Sequence, residues 1–167
     1  MDESISQNKN GKTGDSLEEI ILSWTVSSIS NEQPVRAIPG TFDSISEYAD
    51  SFRDPLVEET RCQIKASLCS IHRSHYYRLR GVSEGNRSKY FLDIDTSCKD
   101  DVRFVAQNGD LFLLSTHEPK DKSFDSGSGV FALAVDIPPN EYICKSFHVV
   151  ASSDLSSREY CSAIFFV

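Results

Sequence analysis

The 167-residue chain lacks any uninterrupted apolar run near the 18 to 20 residues that a membrane span requires. It lacks a C-x-x-C pair, and its five cysteines, at 62, 69, 98, 144 and 161, are an odd number. That set argues against a disulfide framework and for reduced, mostly buried thiols. No G-x-S-x-G turn is present to raise a nucleophilic serine, and no internal repeat is visible. Eight glycines and six prolines are too few for a collagen-like or low-complexity polymer. The opening residues MDESISQNKNGKTGDS have no apolar core and are not acid-poor, so neither a secretory signal nor a transit peptide is expected. The expectation is an intracellular protein, nuclear or cytoplasmic, neither secreted nor membrane-bound.

What is present suits one compact unit. Hydrophobic residues make up 39% of the chain and aromatic ones 10%, enough for a single core. Seventeen Lys and Arg against 25 Asp and Glu leave a net charge of −8, which excludes a general polyanion binder. Any nucleic-acid contact must be local.

Residues 1–14 are polar and aperiodic and read as a disordered tail. Residues 15–71 read as a helical segment. Ser16 with Glu19 forms a capping-box pattern, and Leu17, Ile20, Ile21, Trp24 and Ser28 share a face of an expected helix over 16–29. A second helix is expected over 43–52, capped by Thr41 or Asp43, with Ile45, Tyr48 and Phe52 aligned. Asp54 caps a third, Pro55 sits at its first position, and Val57, Ile64, Leu68 and Ile71 form its packing stripe, with Glu58, Glu59, Arg61 and Lys65 on other faces.

From residue 72 the period changes to two, giving strands at 76–80, 90–94, 102–106, 110–115, 130–136, 142–150 and 160–167. Asn108-Gly109 signals a tight hairpin, residues 125–129 a flexible loop, and Pro138-Pro139-Asn140 a bend. Six or seven short strands in fewer than a hundred residues read as a small, mostly antiparallel barrel. The fold class is therefore α+β, with N-terminal helices packed against a β-barrel.

Candidate chemistry is sparse. Gly11-Lys12-Thr13 ends like a phosphate-binding loop, but Ser6 stands where the first glycine belongs and no strand precedes it. Cys69, His72 and His75 have a spacing that carries the third side chain around the helix from the first, so no metal site is assigned. His117 reads as a loop residue and His148 as part of the barrel wall, while Asp93 and Asp95 have Lys89, Lys99 and Arg103 nearby as surface partners. No catalytic residue and no cofactor are assigned.

Charge distribution is more informative. Residues 1–71 hold 12 acids and 6 bases, 72–90 hold one acid and 5 bases, and 91–167 again 12 and 6, giving nets of −6, +4 and −6. Arg73, Arg78, Arg80, Arg87 and Lys89 are interleaved with His75, Tyr76, Tyr77 and Tyr90, a mixture suited to phosphate contact and base stacking. Arg73, Tyr76, Tyr77, Arg78, Arg80, Arg87 and Lys89 are the candidate nucleic-acid-binding residues. The competing account is a cationic hairpin that pairs with the acidic helices.

Several stretches carry a family resemblance: Leu22-Ser23-Trp24, Ile38-Pro39-Gly40-Thr41-Phe42, Tyr48, Ser51-Phe52, residues 55–61, and residues 109–115 through Pro119 into the strand at 130–135. Together they resemble the N-terminal region of plant superfamily 1 helicases of the senataxin-like and nonsense-decay-helicase-like group. The resemblance spans about residues 17–167. It implies a helical stalk carrying a barrel beside a motor, where the barrel can touch nucleic acid and affect coupling, and single-stranded RNA or DNA is the partner expected for the basic island. The family's ATPase motifs lie downstream and have no counterpart here, so a non-catalytic module is expected. The alternative is a stand-alone truncated paralogue that binds a protein partner as a decoy, inhibitor or neutralising regulator.

Overall fold

The computed structural model describes residues 15–166 apart from 32–33, 74–75, 86–88, 96–104, 121–125 and 139–145. Four helices come first: α1 (Leu17–Leu22), α2 (Val26–Ile29), α3 (Ile45–Ser51) and α4 (Arg53–Cys69). A 3₁₀ turn at Ile71–Arg73 leads to six strands: β1 (Tyr76–Glu84), β2 (Lys89–Ile94), β3 (Leu111–Ser115), β4 (Val130–Val135), β5 (Ser146–Ala151) and β6 (Ser162–Phe166). All neighbouring pairs are antiparallel, and the order β1-β2-β5-β4-β3-β6 closes into a barrel. The expected α+β architecture is the observed one.

Alternation along the strands builds two cores. Phe112, Leu114, Ala132, Ala134, Leu92, Phe147, Val149 and Ala163 turn inward and fill the barrel. Their outward neighbours Leu113, Phe131, Ile164 and Phe166 instead meet Ile21, Ile29, Ile64 and Ile71 of the helical segment. The helices thus cover the outer wall of β3, β4 and β6. β3 and β6 are consequently apolar on both faces, which explains their near-continuous hydrophobic sequence.

Several local expectations need correction. The single helix over 16–29 is two, because the Ser23 hydroxyl donates to the Ile20 carbonyl at 2.6 Å and Thr25 starts a new capping box with Ser28. Short hydroxyl side chains compete with the helix ladder in this way. Ser44, rather than Thr41 or Asp43, caps α3. α4 begins at Arg53 with no side-chain cap, so Asp54 is not the cap and Pro55 is third in the helix, where an N–H is still unneeded. The 125–129 loop contains an ordered turn at Ser126–Ser128. Cys62 and Cys69 are exposed, not buried, and with Cys161 they are free thiols.

The strand expected over 102–106 is absent at residues 105 and 106, and its remainder lies outside the described residues, as do the tail at 1–14 and Pro139-Asn140. Asn108-Gly109 does form a turn, with Gly109 at φ +91°, but it also clamps a different loop. The Asn108 amide accepts from Ile137 N–H at 2.7 Å and donates to the Ile137 carbonyl at 3.0 Å.

Among the described glycines, Gly129 makes the tightest approach to a neighbouring side chain. A Cβ there would lie 2.6 Å from Leu113 Cδ1 and 2.7 Å from its Cγ. Leu113 is fully buried and cannot swing away. Gly129→Ala is expected to cost about 1–3 kcal/mol through overpacking, read as a lower urea midpoint. Leu113→Ala in the same chain should recover part of that loss, and strict additivity would refute the clash.

Candidate nucleic-acid interface

With one side of the barrel occupied by helices, the outer face of β2, β5 and the part of β1 beyond Tyr76 is its helix-free side among the described residues. Directly paired residues of antiparallel strands share a face. Phe91 pairs with Ser83 on one side and His148 on the other, while Lys89 pairs with Val150 and Asp93 with Ser146. These residues therefore line the open face, whereas Tyr90, Leu92 and Ile94 serve the barrel core.

At the centre Phe91 and His148 form an edge-on ring pair, centroids 5.2 Å apart and planes at 64°. Both are half-buried. A register shift between Leu79 and Gly81 marks a bulge, which leaves Arg80 exposed at the margin. Bulges of this kind re-aim a side chain.

The sequence-derived candidates are distributed unevenly over this surface. Arg78 and Arg80 lie on β1 and Lys89 at the start of β2. Arg73 is exposed in the 3₁₀ turn, and Arg87 lies outside the described residues. Tyr77 points the other way, its ring 6.2 Å from both Phe112 and Phe147 in the barrel interior. Tyr76 packs along the helix-covered side, and its hydroxyl donates to Glu118 at 2.9 Å. Burial, reinforced by the Glu118 carboxylate, raises the Tyr76 pKa above the ordinary phenol value. Tyr90 likewise donates to Asp154 at 3.0 Å, and burial raises its pKa.

The fold sets acids beside the basic island. Arg78 pairs with Glu118 at 2.7 Å, Arg80 with Asp95 at 3.3 Å, and Lys89 with Asp136. The Lys89 ammonium holds the Asp136 carboxyl below its ordinary pKa. Of the two sequence-level accounts of the island, internal pairing is thus realised, but with barrel residues rather than with the acidic helices. Such exposed pairs are worth only about 0–1 kcal/mol each, so exchanging the carboxylate for a phosphate costs little. Phe91 was missed in the sequence because an aromatic set between Tyr90 and Leu92 looks like core. Only the register, which sets it opposite His148, distinguishes it.

No described cluster of His, Cys, Asp and Glu is arranged to hold a metal. His75 and the His72 side chain lie outside the described residues. A groove of about 210 Å³ runs between α4 and the barrel, lined by Ile64, Gln63, Leu111, Leu133, Phe166 and Asp110. Burial raises the Asp110 pKa, opposed by the hydrogen bond it accepts from Gln107 N–H. No helix among the described residues is long and apolar enough to cross a membrane.

A family model described as a domain of unknown function, DUF6469, matches residues 13–167. The chain belongs to this family. It is also similar to the probable helicase MAGATAMA 3 of Arabidopsis thaliana, at 29% identity over 129 residues, covering 66% of this chain and 14% of that helicase. The matched segment thus spans about a seventh of that helicase's length, and the expected resemblance to a plant helicase holds over that part. No solved structure matches the chain.

Proposed function

We propose that this domain is a non-catalytic, helicase-associated module that touches single-stranded RNA or DNA with the open face of β1, β2 and β5. The reading rests on one observation: the barrel side left bare by the helices carries the Phe91–His148 ring pair, with Lys89 two residues from Phe91 on the same strand face and Arg80 exposed on the neighbouring strand. Cations at the margin suit phosphates, and an aromatic centre suits an unpaired base, which has a π-face whatever its identity. Partial similarity to a plant helicase supplies the setting. The stacking role assigned from sequence to Tyr76 and Tyr77 passes in this reading to Phe91 and His148.

Fluorescence anisotropy with single-stranded RNA and DNA oligonucleotides at two ionic strengths tests the reading. Affinity should fall as salt rises, because neutralised phosphates release counterions. Arg80→Ala and Lys89→Ala should each reduce the salt slope by about 1. Phe91→Ala should weaken binding by about 1–3 kcal/mol with the slope unchanged. Absence of binding at low salt, or indifference to charge removal at Arg78 and Arg80, would refute it.

A further inference from the structure

Of the six large hydrophobic side chains that are exposed among the described residues, five fall within one stretch of the helical segment: Val35, Ile38, Ile45, Tyr48 and Leu56. Ile45 is 88% exposed and Tyr48 and Leu56 are each 51% exposed, values ordinary for lysine and costly for apolar side chains. Helix α3, at the centre of this stretch, has seven residues and buries none of them. Isolated helices shorter than about 12–15 residues are marginal in water. Local contacts hold this one: the Ser44 cap and two edge-on ring contacts that set Tyr48 between Phe42 and Phe52, at 5.1 and 5.0 Å. The helix is kept formed while its apolar side chains stay in water, and a concentration of large apolar side chains at the surface in one stretch of chain is a mark of an interaction site.

Charge narrows what fits there. Asp43, Glu47, Asp50 and Asp54 are all exposed along the same stretch, and none belongs to an ion pair among the described residues. Arg53, the nearest cation in sequence, donates to the Asp15 carbonyl. Geometry narrows it further. The barrel is closed, so its described strands offer no free edge on which an added strand could pair. Recognition by a helix face remains, in which an apolar stripe meets an apolar ridge.

We propose that α3 and its flanks, from Val35 to Leu56, form a docking surface for a basic amphipathic helix of a protein partner. The partner's apolar stripe covers Ile38, Ile45, Tyr48 and Leu56, and its Lys or Arg residues answer Asp43, Glu47, Asp50 and Asp54. This surface shares no residue with the open barrel face, so the proposal stands apart from nucleic-acid binding.

The test is selection of a phage-displayed library of randomised helical 16-residue peptides on the full chain. Selected peptides should have apolar residues at helical spacing flanked by Lys or Arg, and synthetic versions should lose at least about tenfold in affinity on Ile45→Asp. Asp50→Lys with Asp54→Lys should lose similar affinity, without change in the unfolding midpoint, because these side chains are exposed. Acidic or non-helical consensus sequences, binders indifferent to Ile45→Asp, or no enrichment would each overturn the proposal. So would concentration-dependent self-association abolished by Ile45→Asp in sedimentation velocity, which would assign the surface to a second copy. Single-stranded oligonucleotide binding should be unaltered in Ile45→Asp, so loss of either interaction is read separately.

Discussion

Arg61→Met is expected to lower the unfolding free energy by about 3 kcal/mol, the lower end for breaking a buried ion pair from one side. Arg61 is only 3% exposed although it lies on a surface-patterned helix. Its Nε donates to Glu58 Oε2 at 2.6 Å and one terminal nitrogen to Oε1 at 2.5 Å, while the other reaches the Ile29 carbonyl at the end of α2. One guanidinium thus neutralises a carboxylate and satisfies an orphan helix carbonyl, joining elements 32 positions apart. Methionine keeps much of the volume but leaves both acceptors without those donors. Glu58 is partly open to water, which limits the penalty. Equilibrium denaturation in urea gives the value, and a loss below 1 kcal/mol would mean the guanidinium only fills space. Glu58→Gln combined with Arg61→Met should be less damaging than the two single losses added together. Arg61→Lys should fall between, since an ammonium cannot form the planar two-point contact.

Phe112→Ala is the second large effect, at about 4 kcal/mol. The ring is fully buried at the barrel centre, 5.2 Å from Phe147, 5.6 Å from Phe165 and 6.2 Å from Tyr77. Those rings belong to β5, β6 and β1, so Phe112 on β3 is the side chain through which opposite walls meet. Truncation leaves a void that a closed barrel cannot collapse, because each wall is fixed by hydrogen bonds to both neighbours. At about 2–4 °C per kcal/mol for a chain of this size, the melting temperature should fall by about 10 °C. A drop under 3 °C would show that the barrel relaxes around the missing ring. Phe112→Leu should cost markedly less.

Much of the fold was legible because its strands obey a strict period. Inward Phe112 and Leu114 and outward Leu111 and Leu113 alternate along β3, and Asn108-Gly109 does mark a turn before it, though not the expected hairpin, because residues 105–107 form no strand. Ser16 and Glu19 announced the first helix correctly. What escaped depends on partners distant in sequence. Arg61 looked solvent-facing because its acceptor, the Ile29 carbonyl, is a backbone atom that no side-chain pattern reveals. The basic island's pairing was assigned to the acidic helices because its actual partners Glu118 and Asp136 approach it only through strand pairing. Tyr77 looked accessible, yet it shares a strand with Arg78 and alternation turns it inward. Phe91 and His148, 57 positions apart by number, become neighbours only in the β2–β5 register.

The order of closure sets a timing constraint. β1 is the first strand of the barrel and pairs directly with β6, the last, Tyr76 opposite Ile164. During synthesis the ribosome releases β1, β2, β3, β4 and β5 before the strand that joins β3 to β1 has emerged. Until then β1 and β3 each expose a row of unpaired amides and carbonyls, the arrangement that invites another chain. Non-local pairing of this kind is also slow. The newly made chain therefore has its greatest aggregation hazard in the interval before residues 162–166 leave the exit tunnel, and closure by β6 ends it.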